Sequence, residues 1–114
     1  MSAKIKIISR IFVEADAEKA QAIASRLKQT FADIIEETSI EDYWKEPGWK
    51  EITLEIDAPT QVPQQALETI ANKLGTGWTF GSEDATAFAV WNHGGDGTFN
   101  EQAVRFANLE VVSE

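Results

Sequence analysis

The chain has 114 residues, 43% of them apolar, which suits one domain with a real core. It has no cysteine, so disulfide staples and thiolate metal sites are excluded and a cytoplasmic home is permitted. Ten basic residues against nineteen acidic ones give a net charge of −9, which repels nucleic acid and anionic membranes and favours basic partners.

At the N-terminal end, Ile5, Ile7, Ile11 and Val13 alternate, with Ser9 in register and Ile8 and Phe12 on the opposite face. This spacing predicts a long, largely buried strand over residues 4–14. Lys6, Ser9 and Arg10 interrupt the apolar run, so it fits neither a signal peptide nor a membrane span. Asp16 is a good N-cap for a helix. Ala20, Ile23, Ala24, Leu27, Phe31 and Ile34 recur at three- and four-residue steps and predict that helix over 17–32.

The segment IIEETSIEDYWKEPGW reads in two ways. Ile34, Ile35 and Ile40 can form a short second strand, or the helix can continue. Pro47-Gly48 marks a turn. Beyond it, Ile52, Leu54 and Ile56 alternate with Glu51, Thr53 and Glu55, predicting a strand with one face in the core and one acidic face in water. Ala58-Pro59-Thr60 breaks it, and Pro63 fits the first turn of a second helix. Ala66, Leu67, Ile70, Ala71 and Leu74 are its buried stripe, with Gly75 or Gly77 as the C-cap glycine.

Residues 78–80 read as a short strand, 81–84 as a turn and 86–91 as the hairpin partner. A glycine loop comes next. Residues 105–112 read as a final strand, with a helix over 102–107 as the rival. The expected fold is α+β: one mainly antiparallel sheet with two helices on one face, a ferredoxin-like plait with an extra C-terminal strand.

The stretch WNHGGDGTFNE holds the single histidine and three of the seven glycines. Its GGDGT resembles the nucleotide loop of lipid kinases and their NAD-kinase relatives, and glycine-rich backbone can converge N–H groups on phosphate. In those kinases the motif lies early in an α/β nucleotide domain, with a second domain after it. Here it lies near the C-terminal end, and only Lys73 and Arg105 occur as cations after residue 57. His93 and Asp96 could share a proton in a turn. No matching nucleophile is evident, and one histidine without cysteine cannot build the usual transition-metal site. No catalytic residue, metal or cofactor is therefore expected.

The excess acid concentrates between Asp33 and Asp57, where only Lys45 and Lys50 offset it. Inside that stretch, EDYWKEPGW sets Tyr43, Trp44 and Trp49 around a turn. Such aromatics anchor protein interfaces, and carboxylates around them steer a basic partner. Packing of Trp44 and Trp49 over the open side of the sheet is the alternative, and the two are compatible. The expected partner-binding residues are Glu41, Asp42, Tyr43, Trp44, Glu46 and Trp49, with Glu83 and Asp84 as further steering charges.

Taken in order, IKIISRIF, an amphipathic helix, YWKEPGWKEITLEI, a Gly-Trp after the second helix, AVWN, a variable loop and TFNEQAVRFANLEV resemble small bacterial immunity proteins of contact-dependent growth inhibition and polymorphic toxin systems. Where that family often ends in Val-Arg-Trp-Ala, this chain has Val104-Arg105-Phe106-Ala107. The resemblance implies a cytoplasmic, non-enzymatic protein that binds and neutralises a cognate toxin, commonly a nuclease. The acidic charge argues against contact with nucleic acid or membrane, and the sequence leaves the oligomeric state open. The rival readings are a small-ligand or regulatory plait domain and an enzyme using His93 and Asp96.

Overall fold

The computed structural model describes residues 5–58, 60, 62–83, 86–95 and 97–113. Along the chain run β1 (Ile5–Glu14), α1 (Ala17–Thr30), β2 (Ile35–Asp42), β3 (Trp49–Asp57), α2 (Pro63–Leu74), β4 (Thr79–Glu83), β5 (Thr86–Asn92) and β6 (Val104–Ser113). The strands form a six-stranded sheet in the order β2-β3-β1-β6-β5-β4. Every adjacent pair is antiparallel.

Strand alternation divides the sheet into two faces. On the core face, Ile52, Ile11, Ala107 and Trp91 form one cross-strand row, and Leu54, Ser9, Leu109 and Ala89 form the next. All eight are buried. The buried stripes of both helices join the same cluster: Ala20, Ile23, Ala24 and Leu27 from α1, and Ala66, Leu67, Ile70, Ala71 and Leu74 from α2.

The expected helix ends are nearly those observed. The Asp16 carboxylate accepts the Lys19 N–H at 2.8 Å and starts α1. The helix stops at Thr30, two residues short of the expectation, because Phe31 leaves helical geometry and buries its ring as the C-cap. Residues 35–42 resolve as a strand. Ile35 and Ile40 sit opposite Ile56 and Ile52, where both pack against the core. A continued helix would forfeit those cross-strand contacts. Pro63 opens α2 as expected.

One boundary differs from the sequence reading, and one of its two alternatives at the C-terminal end drops out. Residues 81–83 are strand rather than turn, and Gly81 lies opposite Phe88 in the β4–β5 ladder. A side chain at Gly81 would meet the Phe88 ring at 2.6 Å, so the ring fills the space the glycine leaves. After the glycine loop no helix forms over 102–107. Residues 101–103 turn, and β6 starts at Val104 beside Val13.

The strand order also departs from the plait. In a plait the strand after the second helix lies next to the first strand. Here that strand, β4, lies at the far edge, and β5 and β6 fold back so that β6 pairs with β1.

Candidate partner-binding surface

The face of the sheet turned away from the core decides what the molecule can present. Across the strands, its rows are Glu37, Glu55, Ile8, Glu110 and Phe88; Ser39, Thr53, Arg10, Asn108 and Val90; and Glu41, Glu51, Phe12, Phe106 and Asn92. Ile8, Phe88, Val90 and Phe106 are half-buried rather than covered. They leave part of this face apolar beside its charged rows.

At the end of the face where β2 turns into β3, the aromatics gather. The Phe12 ring centroid lies 4.6 Å from Tyr43 and 5.6 Å from Phe106, and Tyr43 stacks on Trp49 at 6.3 Å. Pairs of this kind contribute about 0.5–1.5 kcal/mol each beyond burial. The platform leaves Phe12 only 8% exposed.

The hairpin over residues 43–48 is locked by backbone bonds. The Tyr43 N–H donates to the Trp49 carbonyl at 3.1 Å, and the Trp49 N–H donates to the Glu46 carbonyl at 3.1 Å. Gly48 closes the turn at φ +87°. With Tyr43 and Trp49 turned onto the sheet, Trp44 is left pointing out, 82% exposed, with the Lys45 ammonium 5.1 Å from its ring centroid. A hydrogen-bonded turn thus presents one large aromatic to solvent.

The electrostatics of this face are lopsided. Glu37 stands directly opposite Glu55, and Glu41 directly opposite Glu51. Like charges in that register are destabilising. Lys6 relieves the first pair, reaching Glu36 at 2.5 Å and Glu55 at 3.1 Å. Among the described residues, Glu41 and Glu51 have no cation partner. Arg10 approaches Glu110 only at 3.7 Å.

The structure therefore regroups the expected site residues. Tyr43, Trp44, Glu46 and Trp49 lie in or beside one turn, and Glu41 joins them on the open face. Asp42 points to the core side and is occupied by Lys50 at 2.5 Å. Glu83 does not belong to this group. It ends β4, on the opposite edge of the sheet and at the opposite end of the strands, because β4 is separated from β3 by three strands and Glu83 pairs with Thr86 at the end where β6 finishes. Asp84 lies outside the described residues. Phe12, Phe106, Glu51, Glu55 and Glu37 are the members that sequence reasoning left out. The signal was present in β1 and β3: a Phe on the non-core register of one, and glutamates on the non-core register of the other.

The glycine loop has a different task. The Asn100 N–H donates to the Leu74 carbonyl at 2.8 Å, and its amide Nδ2 donates to the Lys73 carbonyl at 2.6 Å, so the loop caps the C-terminus of α2. A helix C-terminus carries partial negative charge and disfavours phosphate. Gly97 lies so close to the backbone of residues 76–77 that a side chain there would collide with the Thr76 carbonyl. Phe99 packs on Trp91 at 5.1 Å and on Trp78 at 6.1 Å. Arg26 forks onto Glu101 at 2.9 and 2.6 Å, which raises the guanidinium pKa by hydrogen bonding and charge and pins the loop to α1. The His93 N–H donates to the Arg105 carbonyl at 3.0 Å, and its ring lies edge-on to Trp91. Asp96, the partner of His93 in the rival enzyme reading, lies outside the described residues.

A shallow groove of about 440 Å³ crosses the open face, lined by Arg10, Thr86, Phe88, Val90, Asn108 and Glu110. Among the described residues, no group of three or more acidic, histidine or cysteine side chains could hold a metal ion, and no helix is long and apolar enough to cross a membrane. Compared with protein-family models, curated proteins and solved structures, the chain matches none of them.

Proposed function

We propose that this protein is an inhibitor of the immunity type, which binds and neutralises a basic toxin domain through the open face of its sheet and the 43–48 hairpin. The observation that carries the reading is the aromatic platform of Phe12, Tyr43, Trp49 and Phe106, overhung by the exposed Trp44. It is bordered by Glu41 and Glu51, which face each other with no cation partner among the described residues. Both helices are read as covering the opposite face, which leaves this one free for a partner.

The chemistry of the partner comes from the charge. A nuclease presents a basic cleft to phosphate. An acidic domain can occupy that cleft or cover its entrance, with steered association and no turnover of its own. Trp44 supplies the desolvated anchor and the glutamates the register. The reading places the protein in the cytoplasm, where toxin and inhibitor would meet.

Co-expression with the product of the adjacent upstream reading frame tests this. The expected result is that the neighbour is toxic alone, harmless with this chain, and co-purifies with it. A neighbour that is harmless alone, or that stays toxic in its presence, contradicts the reading.

One observation favours a second reading. The groove of about 440 Å³ falls in the size range of small-molecule sites. Phe88 and Val90 offer it an apolar floor, and Arg10, Asn108 and Glu110 offer polar contacts. A regulatory domain would use it for an effector. In that case a screen of small apolar ligands would shift the Phe88 and Val90 resonances, and Trp44 replacement would leave those shifts unchanged.

A further inference from the structure

Strand β2 is an outer strand of eight residues, bonded to β3 on one side and to no other strand among the described residues. Its outward backbone N–H and C=O groups form a template for another chain. The opposite edge, β4, is shorter at five residues. The side chains of β2 fall in two registers. Glu37, Ser39 and Glu41 lie on the open face, opposite Glu55, Thr53 and Glu51. Thr38 and Ile40 lie on the core side, opposite Leu54 and Ile52, and both are half-buried. The Thr38 hydroxyl is buried without a hydrogen-bond partner.

We infer that β2 is a docking edge for an extended basic segment of the partner, which adds to the sheet as a further strand. This rests on the reading that the partner is a basic protein. Residues flanking Glu37 and Glu41 would be cations, and residues flanking Thr38 and Ile40 would be apolar. The recognised pattern is therefore cation, apolar, small polar, apolar, cation. It reads the same in both directions, so it suits a parallel or an antiparallel addition.

Charge selects this occupant over a second copy of the chain. Two β2 strands pairing about Ser39 would set Glu37 of each against Glu41 of the other, adding to the repulsion already present across β3. Acidic side chains on an edge deter self-association. A strand with lysine or arginine in those positions converts the same repulsion into attraction, while main-chain bonds supply affinity and the alternating side chains supply specificity.

The test uses the full chain and synthetic peptides built on Lys-Val-Thr-Val-Lys, followed by amide resonances and hydrogen exchange. The expected result is slowed exchange of β2 amides and binding about tenfold tighter than that of a scrambled Lys-Lys-Thr-Val-Val peptide. Glu37→Gln with Glu41→Gln should lose about that factor, with thermal unfolding confirming that the fold is kept. N-methylation of the peptide at alternate residues should abolish binding in one of its two registers. Equal binding of the scrambled peptide, with shifts confined to the open face and the hairpin, overturns the edge inference and leaves the basic-partner reading standing. Absence of binding by either peptide overturns the edge inference, and co-expression with the toxin then decides the parent reading by itself.

Discussion

Trp44 and Gly48 show how single residues divide between presentation and support. Trp44 has almost no contact to lose, being 82% exposed, whereas Gly48 holds the turn that aims it. At φ +87° an L side chain is strained even though nothing lies within 4 Å of the position. Gly48→Ala is therefore expected to destabilise the fold by about 1–2 kcal/mol, measured by denaturant titration, through backbone conformation alone. A change below the error of that titration would mean the turn relaxes to another conformation. These residues were legible in EDYWKEPGW as a turn rich in acid and aromatics. Their opposite orientations were not, because which aromatic turns inward depends on Phe12 and Phe106, which come from distant strands.

At the scale of elements, helices and register behave differently. Both helices were legible from local periodicity and caps, since their buried stripes need only the spacing of apolar residues. Strand β3 was legible for the same reason. The extension of β4 through Gly81 was not, because Phe88 from the next strand fills the gap. Nor was the facing of Glu41 on Glu51, which only the β2–β3 register creates. That register makes a prediction with two signs. Glu41→Gln removes a like-charge pair and should stabilise the isolated protein by about 0.2–1 kcal/mol. It should weaken binding to a basic partner. Thermal unfolding and titration on one preparation check both, and a loss of stability would show that Glu41 has a structural role instead.

For the whole molecule, the order of the sheet separates residues that share only their charge. Glu83 was grouped with the hairpin on charge alone, and the path of α2 to the far edge carries it away. Pairing over such distances is set by the packed core and leaves no local mark. The net charge of −9 was legible from the start, and it acts at this scale. The association rate with a basic partner should fall steeply with ionic strength, while the dissociation rate changes little. Stopped-flow measurement between low and physiological salt tests this. An association rate independent of salt would rule out electrostatic steering.

The hydrogen-bonded 43–48 hairpin and the acidic, aromatic face beside it are proposed to bind a protein partner, with Trp44 as the anchor. Calorimetric titration of Trp44→Ala against the cognate toxin domain, alongside thermal unfolding of the same sample, tests this most directly. The expected result is at least about a thirtyfold loss of affinity, the size of an interface hot spot, with stability unchanged within about 0.5 kcal/mol. Full affinity in a correctly folded Trp44→Ala protein would contradict it.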